Sequence, residues 1–264
     1  MYFKVIIDGT GTKQFATPAR YEQAVLPQLR RIHHSKTGHA LFREFGKRAH
    51  HTLKIIPFEE RDPHTHQPIF NAYAIAKDPQ HATRAGQPER SGSNGQVLPD
   101  ALGNPVIGDG TGSDSDIKFT PGMFTRFCSH QKKHGLPRSG AQPDEVLFHE
   151  MVHSTREMLG LFDPLPLGFL FDAEEEFFAI LLANIYASET GRPIDLRQNH
   201  HGFVHLLEDT DTKFIPNPSD PFYRLIAKLV TQQPVMALEI GKINCPFNPI
   251  RRYFQMEHDQ HGLA

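Results

Sequence analysis

The sequence predicts a mixed α+β fold in which a small sheet precedes two buried helices and a helical C-terminal lobe. Strand-like apolar segments of about five residues lie in the first part of the chain, at 2–7, 52–58 and 71–77. Helical periodicity dominates after residue 143, where apolar residues recur at intervals of three and four. Strands followed by helices, without regular alternation, are typical of the α+β class.

Length and composition limit the domain organisation. The chain has 264 residues, 38% of them hydrophobic, which is enough for a sizeable core and favours a single domain over 1–264. Residues 79–116 are rich in Gly, Pro, Ser, Asn and Asp, so we expect a long flexible loop there. Its Asp-rich end, 109–116, lacks the spacing of an EF-hand and is interpreted as a polar linker.

Charge and apolar runs exclude two classes of partner. The formal net charge is −2, so we expect no nucleic-acid binding. No apolar run approaches the ~20 residues that span a bilayer, so no membrane span is expected. The opening segment 1–7 is too short for a cleavable signal peptide. Cys128 and Cys245 are too few for a disulfide framework.

The other elements follow from periodicity. Residues 18–34 are predicted to be helical, and Pro27 is expected to bend or split that helix. A second helix is expected over 37–48 and a short strand over 117–119. The C-terminal lobe is predicted to contain helices over 219–233 and 234–256.

A metal-binding pattern occupies residues 149–153, which read His-Glu-Met-Val-His, or H-E-x-x-H. Histidines four apart lie on one face of a helix, one turn apart, where both can bind a single Zn²⁺ ion. We therefore predict His149 and His153 as metal ligands and Glu150 as the catalytic general base. The alternative is an ordinary helix that carries a hydrogen-bonded histidine pair.

The third ligand is predicted on a second helix, over residues 172–186 and capped by its first residue. The chain lacks the H-E-x-x-H-x-x-G-x-x-H pattern, so a glutamate from a crossing helix is expected instead. Close crossing favours small residues one and two turns beyond the ligand, and Glu176 has Ala179 and Ala183 there. Glu175 is nearly as well placed and is the second choice. The alternative is that these acids only complement the helix dipole.

Several downstream polar residues are candidates for supporting roles. Hydrolysis of a peptide usually needs one more donor to stabilise the oxyanion. The candidates for that donor are Tyr186, His200, His201, His205, Arg197 and, more weakly, Tyr253. The group that orients the zinc histidines from behind is unassigned, with Asp172 and Asn184 as candidates.

These motifs resemble the zinc metallopeptidase effectors of bacterial secretion systems. The resemblance rests on H-E-M-V-H-S-T-R over 149–156, E-E-F-F-A-I-L-L-A-N-I-Y over 175–186 and G-R-P-I-D-L-R-x-x-H-H-G-F over 191–203. These effectors include the NleD-like effector peptidases and the metallopeptidase domains fused to the C-terminus of VgrG spike proteins. It covers most of the chain but not the segment 79–116.

The resemblance implies a zincin-like fold and a Zn²⁺ ion bound by His149, His153 and a downstream glutamate, with Glu150 as base. It implies a zinc-dependent endopeptidase that acts on a protein or peptide substrate as a secreted toxin or effector. Delivery into a target cell by type VI secretion, with the secretion-spike apparatus as a partner, is part of the same expectation. In such peptidases an edge strand beside the cleft pairs with the substrate, and 117–121 is the predicted edge strand.

Two other functions stay open at the level of sequence. One is a zinc hydrolase that cleaves a non-peptide amide, for which we expect a site without an edge strand. The other is a non-catalytic binding module stabilised by a closed zinc site, which requires a fourth protein ligand.

Overall fold

The computed structural model describes residues 4–47, 50–65, 69–90, 96–136, 138–169, 171–192, 196–199, 205–207 and 210–261. The strands in these ranges are β1 (Lys4–Ile7), β2 (Thr52–Ile56), β3 (Tyr73–Ala76), β4 (Ser115–Lys118), β5 (Pro166–Phe169) and β6 (Phe171–Ala173). The helices are α1 (Pro18–His34), α2 (Lys36–Gly46), α3 (Pro79–Ala82), α4 (Pro121–Lys133), α5 (Pro143–Leu159), α6 (Glu174–Glu189), α7 (Asp211–Phe214), α8 (Pro221–Gln232), α9 (Pro234–Gly241) and α10 (Pro249–His261). The predicted α+β class is confirmed.

A four-stranded sheet forms the N-terminal part, in the order β1-β2-β4-β3. β1, β2 and β4 are parallel, whereas β3 is antiparallel to β4, with Tyr73 opposite Lys118 and Ala76 opposite Ser115. β4 therefore lies inside the sheet, and the prediction that 117–121 forms the edge strand is wrong. The edge beside the central helices is β3, because the chain adds it outside β4 in the opposite direction.

Helix α5 is the centre of the molecule, and every one of its residues except Leu159 is buried. It packs against α6, α1, α2, α4, β3 and β4. At its start, the Glu145 carboxylate accepts a hydrogen bond from the Gln142 N–H at 3.1 Å, which supplies a partner for an amide outside the helix. The burial includes charged side chains such as Asp144, Glu150 and Arg156, so α5 carries buried polar groups as well as apolar ones.

The end of α5 depends on a glycine. Gly160 adopts a left-handed conformation with φ 67°, which side chains with a Cβ rarely tolerate. A Cβ there would also lie 2.1 Å from the Gly110 carbonyl oxygen, so the loop before β4 packs directly on this helix end. Gly160 both stops the helix and admits that loop.

Helix α6 packs against α5 and starts two residues later than predicted. Ala173 is its N-cap, and Asp172 lies on strand β6, so Asp172 does not cap the helix. The apolar residues of α6 are almost all buried in one contiguous core with α5, the sheet and the C-terminal helices. The pairing of α5 with α6 is what brings the predicted ligand segments together.

Two further expectations differ from the structure. Pro27 does not split α1, which continues through it; Pro27 is exposed, so solvent can reach the backbone carbonyl that its ring leaves without a donor. The segment 79–116 is not irregular throughout, because it contains α3 and the start of β4 and folds back on itself through bridges at Pro88–Ile107 and Pro99–Pro105. Its flexibility stays a prediction, as does the single domain.

No helix in the described ranges is long and apolar enough to cross a membrane.

Candidate metal centre and active site

Three side chains from α5 and α6 meet in the middle of the molecule. The Nε2 atoms of His149 and His153 are 3.1 Å apart. The Glu176 carboxylate faces both, with its Oε2 3.4 Å from His149 Nε2 and its Oε1 3.5 Å from His153 Nε2. Among the described residues these three form a group that could hold a metal ion. The two histidines are buried, and Glu176 is 19% exposed at its side chain.

A second glutamate holds His153 from behind. The Nδ1 atom of His153 lies 3.3 Å from Glu175 Oε1. The other oxygen, Glu175 Oε2, accepts hydrogen bonds from Arg156 Nε at 2.7 Å and from the Asp163 N–H at 3.1 Å. A carboxylate can only accept, so this contact places a proton on Nδ1 of His153 and leaves Nε2 as the nitrogen that could bind a metal once it has lost its proton. Glu175 therefore faces Nδ1 of His153, and Glu176 faces the Nε2 atoms of both histidines.

Arg156 is the residue behind this arrangement that the sequence did not point to. It is fully buried, bonds the side chains of Gln233 and Gln232 and the Leu161 carbonyl, and lies over the Phe178 ring. An arginine in the predicted metal-binding helix, three residues after a predicted ligand, was the available signal. Its charge balances the Glu175 carboxylate beside the histidine.

Glu150 points toward the sheet edge. Its Oε2 accepts a hydrogen bond from the Ala74 N–H of β3 at 2.9 Å, and its exposed fraction is only 6%. Burial raises the pKa of Glu150 to about 7, with the charge of Glu176 adding to the effect and that of His153 opposing it. A carboxylate with a pKa near neutrality suits a group that takes up and releases a proton.

The two imidazoles differ in their protonation. Burial lowers the pKa of His149 to about 3, and the neighbouring charge of His153 adds to that shift. For His153, burial also disfavours the charged form, but the charges of Glu176 and Glu175 outweigh it and the pKa is raised well above its ordinary value. His149 is therefore neutral, whereas His153 favours its charged form beside the Glu176 carboxylate.

The other described candidate residues lie in different surroundings, and the structure gives several of them partners other than the two histidines. Tyr186 is fully buried, and its hydroxyl donates to Asp144 Oδ2 at 2.7 Å, so the structure gives it a partner other than an oxyanion. Asp172 is exposed on β6, and the structure does not bring it to the histidines. Asn184 binds the backbone of Arg197. His200 and His201 lie outside the described residues.

Comparison with known families decides the assignment. The model of the Peptidase_M91 family, described as "Effector protein", matches residues 10–166, more than half of the chain. The chain belongs to the Peptidase_M91 family. No curated protein and no solved structure shows significant similarity to it.

The extent of the Peptidase_M91 match has a direct consequence for the site. It includes α1 to α5, and therefore the H-E-x-x-H segment, but it ends at residue 166, before α6. Glu175 and Glu176 lie beyond the matched segment, so their assignment depends on the geometry described above. Membership identifies the chain as a peptidase-family effector, which agrees with the resemblance in the sequence.

Proposed function

We propose that this Peptidase_M91 protein is a zinc-dependent endopeptidase of the glutamate-ligand, zincin-like type. The observation that carries the proposal is the convergence of His149 Nε2, His153 Nε2 and the Glu176 carboxylate at 3.1–3.5 Å from one another. Zinc–nitrogen and zinc–oxygen bonds of about 2.0–2.1 Å in a tetrahedron place neighbouring ligand atoms about 3.3 Å apart. The spacing and the donor types therefore fit a zinc ion.

The number of ligands favours catalysis over a closed structural site. Within the described ranges the group has three members, whereas a structural zinc site takes four protein ligands. A zinc ion bound there would supply a Lewis acid that polarises a carbonyl group and makes a water molecule more acidic. His149, His153 and Glu176 would hold that ion.

Glu150 performs the proton transfers in the proposed reaction. The Ala74 N–H holds its Oε2, which directs Oε1 as the oxygen that takes a proton from the attacking water. The same carboxyl group then delivers the proton to the nitrogen of the leaving amine. Burial keeps bulk water away from this carboxyl group and gives it a pKa of about 7, so both transfers are accessible near neutral pH.

The sheet edge favours a peptide over a non-peptide amide as substrate. β3 is an edge strand, and the Ala74 N–H, which donates a hydrogen bond to Glu150, points away from β4. The carbonyl group of the same residue points to the same side in an antiparallel strand. Because Glu150 occupies the Ala74 N–H, an extended peptide would pair with this edge through the carbonyl group, next to the proposed base.

The family description as an effector supports a role as a toxin or effector that acts inside another cell. Type VI delivery with a secretion spike, as in the VgrG-fused and NleD-like peptidases that the sequence resembles, is the route we propose. A cell-based translocation assay that uses donor strains with and without the type VI apparatus tests it. Equal delivery by both strains would rule this route out.

The decisive experiment measures zinc content and casein cleavage for the wild type and for Glu150→Gln. We expect one zinc per chain in both proteins and hydrolysis only by the wild type. Loss of zinc from Glu150→Gln would show that this residue is a ligand and not the base. His149→Ala is the matched comparison and should lose both zinc and hydrolysis.

A further inference from the structure

The orientation of His153 depends on a buried carboxylate. Glu175 is 1% exposed, and its Oε1 lies 3.3 Å from His153 Nδ1. A group that bonds the second nitrogen of a ligand histidine fixes the orientation of the ring, and its loss lowers metal affinity. Glu175 can do this only if its own carboxylate is fixed in turn. The residues that hold Glu175 therefore affect how well the site can bind a metal.

Arg156 is the cation that holds this carboxylate. Its Nε donates to Glu175 Oε2 at 2.7 Å, and its guanidinium lies 4.5 Å from the centre of the Phe178 ring. Because Arg156 is fully buried, the other N–H groups of the guanidinium need acceptors from the protein. The guanidinium is planar and rigid, so the positions of those acceptors determine where its Nε points.

Two of these acceptors come from the end of α8. Gln233 Oε1 accepts from Arg156 Nη1 at 2.9 Å, and Gln232 Oε1 accepts from Nη2 at 2.9 Å. Nη2 also donates to the Leu161 carbonyl at 2.8 Å, so it keeps a partner without Gln232. Within the described ranges, Gln233 is the acceptor for Nη1. Gln232 is half-buried, whereas Gln233 is 1% exposed, so water can replace the first but not the second.

Gln233 is itself held firmly between α8 and α9. Its N–H donates to the Leu229 carbonyl at 2.9 Å, and its own carbonyl accepts from the Ala237 N–H at 2.9 Å. Its Nε2 lies 3.9 Å from Met236 Sδ. A guanidinium can only donate, so the amide oxygen of Gln233 must be the atom that faces Arg156. The junction of the two helices thus presents one fixed acceptor to the arginine.

We propose that Gln233 is a positioning residue for the metal ligand His153. It fixes the guanidinium of Arg156, which fixes the carboxylate of Glu175, which in turn fixes the imidazole. This inference rests on the proposed function, and specifically on its zinc site. It gives the C-terminal helices a role in that site, although the Peptidase_M91 match ends before them, at residue 166.

The test measures zinc affinity by competition with a chromogenic chelator, in a cycle of Gln233→Met, Arg156→Lys and the double variant. Methionine resembles glutamine in length but has no amide oxygen, so Nη1 loses its acceptor. For Gln233→Met we expect zinc affinity to fall about fivefold, less than for a group that touches the ligand directly. Lysine keeps the charge beside Glu175 but lacks the planar fork that joins Glu175 to Gln233. In the Arg156→Lys background, Gln233→Met should therefore change zinc affinity by less than about twofold.

Ser188→Ala is the matched control for a loss of stability alone. Ser188 is 3% exposed and its Oγ accepts from the Phe247 N–H at 2.9 Å, so this variant also removes a buried acceptor. Urea should unfold both metal-free variants at lower concentration than the wild type, but Ser188→Ala should keep zinc affinity within about twofold. Reduced stability of Gln233→Met with unchanged zinc affinity, or an equal loss of zinc affinity in Ser188→Ala, would overturn the proposed role. So would a fivefold loss that persists in the Arg156→Lys background.

The measurements also separate this inference from the function on which it rests. If the wild type binds zinc but does not cleave casein, the proposed peptidase function fails, and the affinity cycle still decides the role of Gln233. A wild type that binds no zinc overturns both proposals. Should Gln233→Met fail to fold, Gln233→Asn takes its place in the cycle, because its shorter side chain keeps the amide but cannot reach Arg156 in the same way.

Discussion

Helix α5 carries two buried polar clusters that differ in how their charges are balanced. Near its start, Asp144 is fully buried and accepts hydrogen bonds from Tyr186 at 2.7 Å and from Arg192 at 2.8 Å and 3.2 Å. Near its middle, two histidine nitrogens lie 3.1 Å apart and face one carboxylate. We call these the Asp144 cluster and the His149 cluster.

The difference indicates what each cluster is for. Buried charges are stable when opposite charges and hydrogen bonds surround them, and the Asp144 cluster meets this condition with its own side chains. The His149 cluster brings two imidazoles and one carboxylate together at one point, and these donor types fit a cation there. The same helix pair therefore holds one cluster whose charges balance one another and one cluster whose geometry fits the proposed metal ion.

The largest expected effect is the loss of zinc affinity when Glu176, the predicted acidic ligand in the His149 cluster, is replaced. Glu176→Gln removes a predicted zinc ligand, so zinc affinity should fall by about 100-fold or more, and casein hydrolysis should be lost. Zinc titration monitored by calorimetry measures this, with Glu189→Gln, on the same helix, as the control. If Glu176→Gln kept full zinc affinity, Glu176 would not be a zinc ligand, and the proposed difference between the two clusters would be contradicted.

The next effect concerns the Asp144 cluster. Asp144→Asn leaves Arg192 without its main buried partner and should lower the free energy of unfolding by about 3 kcal/mol. Zinc content and kcat should stay unchanged, because this cluster is expected to contribute stability only. Urea unfolding together with a casein assay measures both, and a tenfold drop in kcat at constant stability would contradict the division of roles.

The pH dependence of stability should show the same contrast. Burial would raise the pKa of Asp144, but hydrogen bonds and charge from Arg192, with the Tyr186 hydroxyl, outweigh it and hold the pKa below its ordinary 3.8. A carboxylate with a lowered folded-state pKa contributes stability above the unfolded-state value and loses that contribution as the pH falls through the folded-state value. Below about pH 4, wild-type stability should therefore fall more steeply than that of Asp144→Asn, and parallel curves would disprove the coupling.

A smaller effect is expected for the orienting glutamate. Glu175→Gln keeps an acceptor near His153 but removes the charge that Arg156 balances, so zinc affinity should fall by about 10- to 100-fold while the site still fills at excess zinc. Activity at saturating zinc should largely return. Irreversible loss of zinc equal to that of Glu176→Gln would make Glu175 a ligand.

The smallest effect tests the contact between the sheet edge and the base. Ala74→Pro removes the N–H group that donates a hydrogen bond to Glu150. Proline is tolerated in an edge strand where the N–H points away from the neighbouring strand. We expect kcat to fall about tenfold with zinc unchanged. Ala76→Pro is the matched control, since its N–H is accepted by Glu157 instead. Equal losses in both variants would indicate damage to β3 and not the loss of one hydrogen bond.

Local patterns predicted much of the molecule. The helices predicted over 18–34 and 219–233 and the strand at 52–58 appear within a few residues of their predicted limits. The helix predicted over 234–256 is wrong in extent, because the structure divides that region into α9 and α10. The H-E-x-x-H spacing also placed His149 and His153 on one face, because residues four apart in a helix are neighbours whatever surrounds them. Strand order was beyond such reasoning, so β4 was wrongly taken as the edge.

The sequence by itself determined the helical register of the two histidines, the apolar segments and the family, since these depend on residues close together in the chain. The tertiary structure alone decided that β3 borders Glu150, and that Glu176 faces both histidines while Glu175 faces Arg156 and Nδ1 of His153. The physical reason is rotation: adjacent residues on a helix point about 100° apart. Only the way α5 packs against α6 decides which of two neighbouring glutamates points at the histidines.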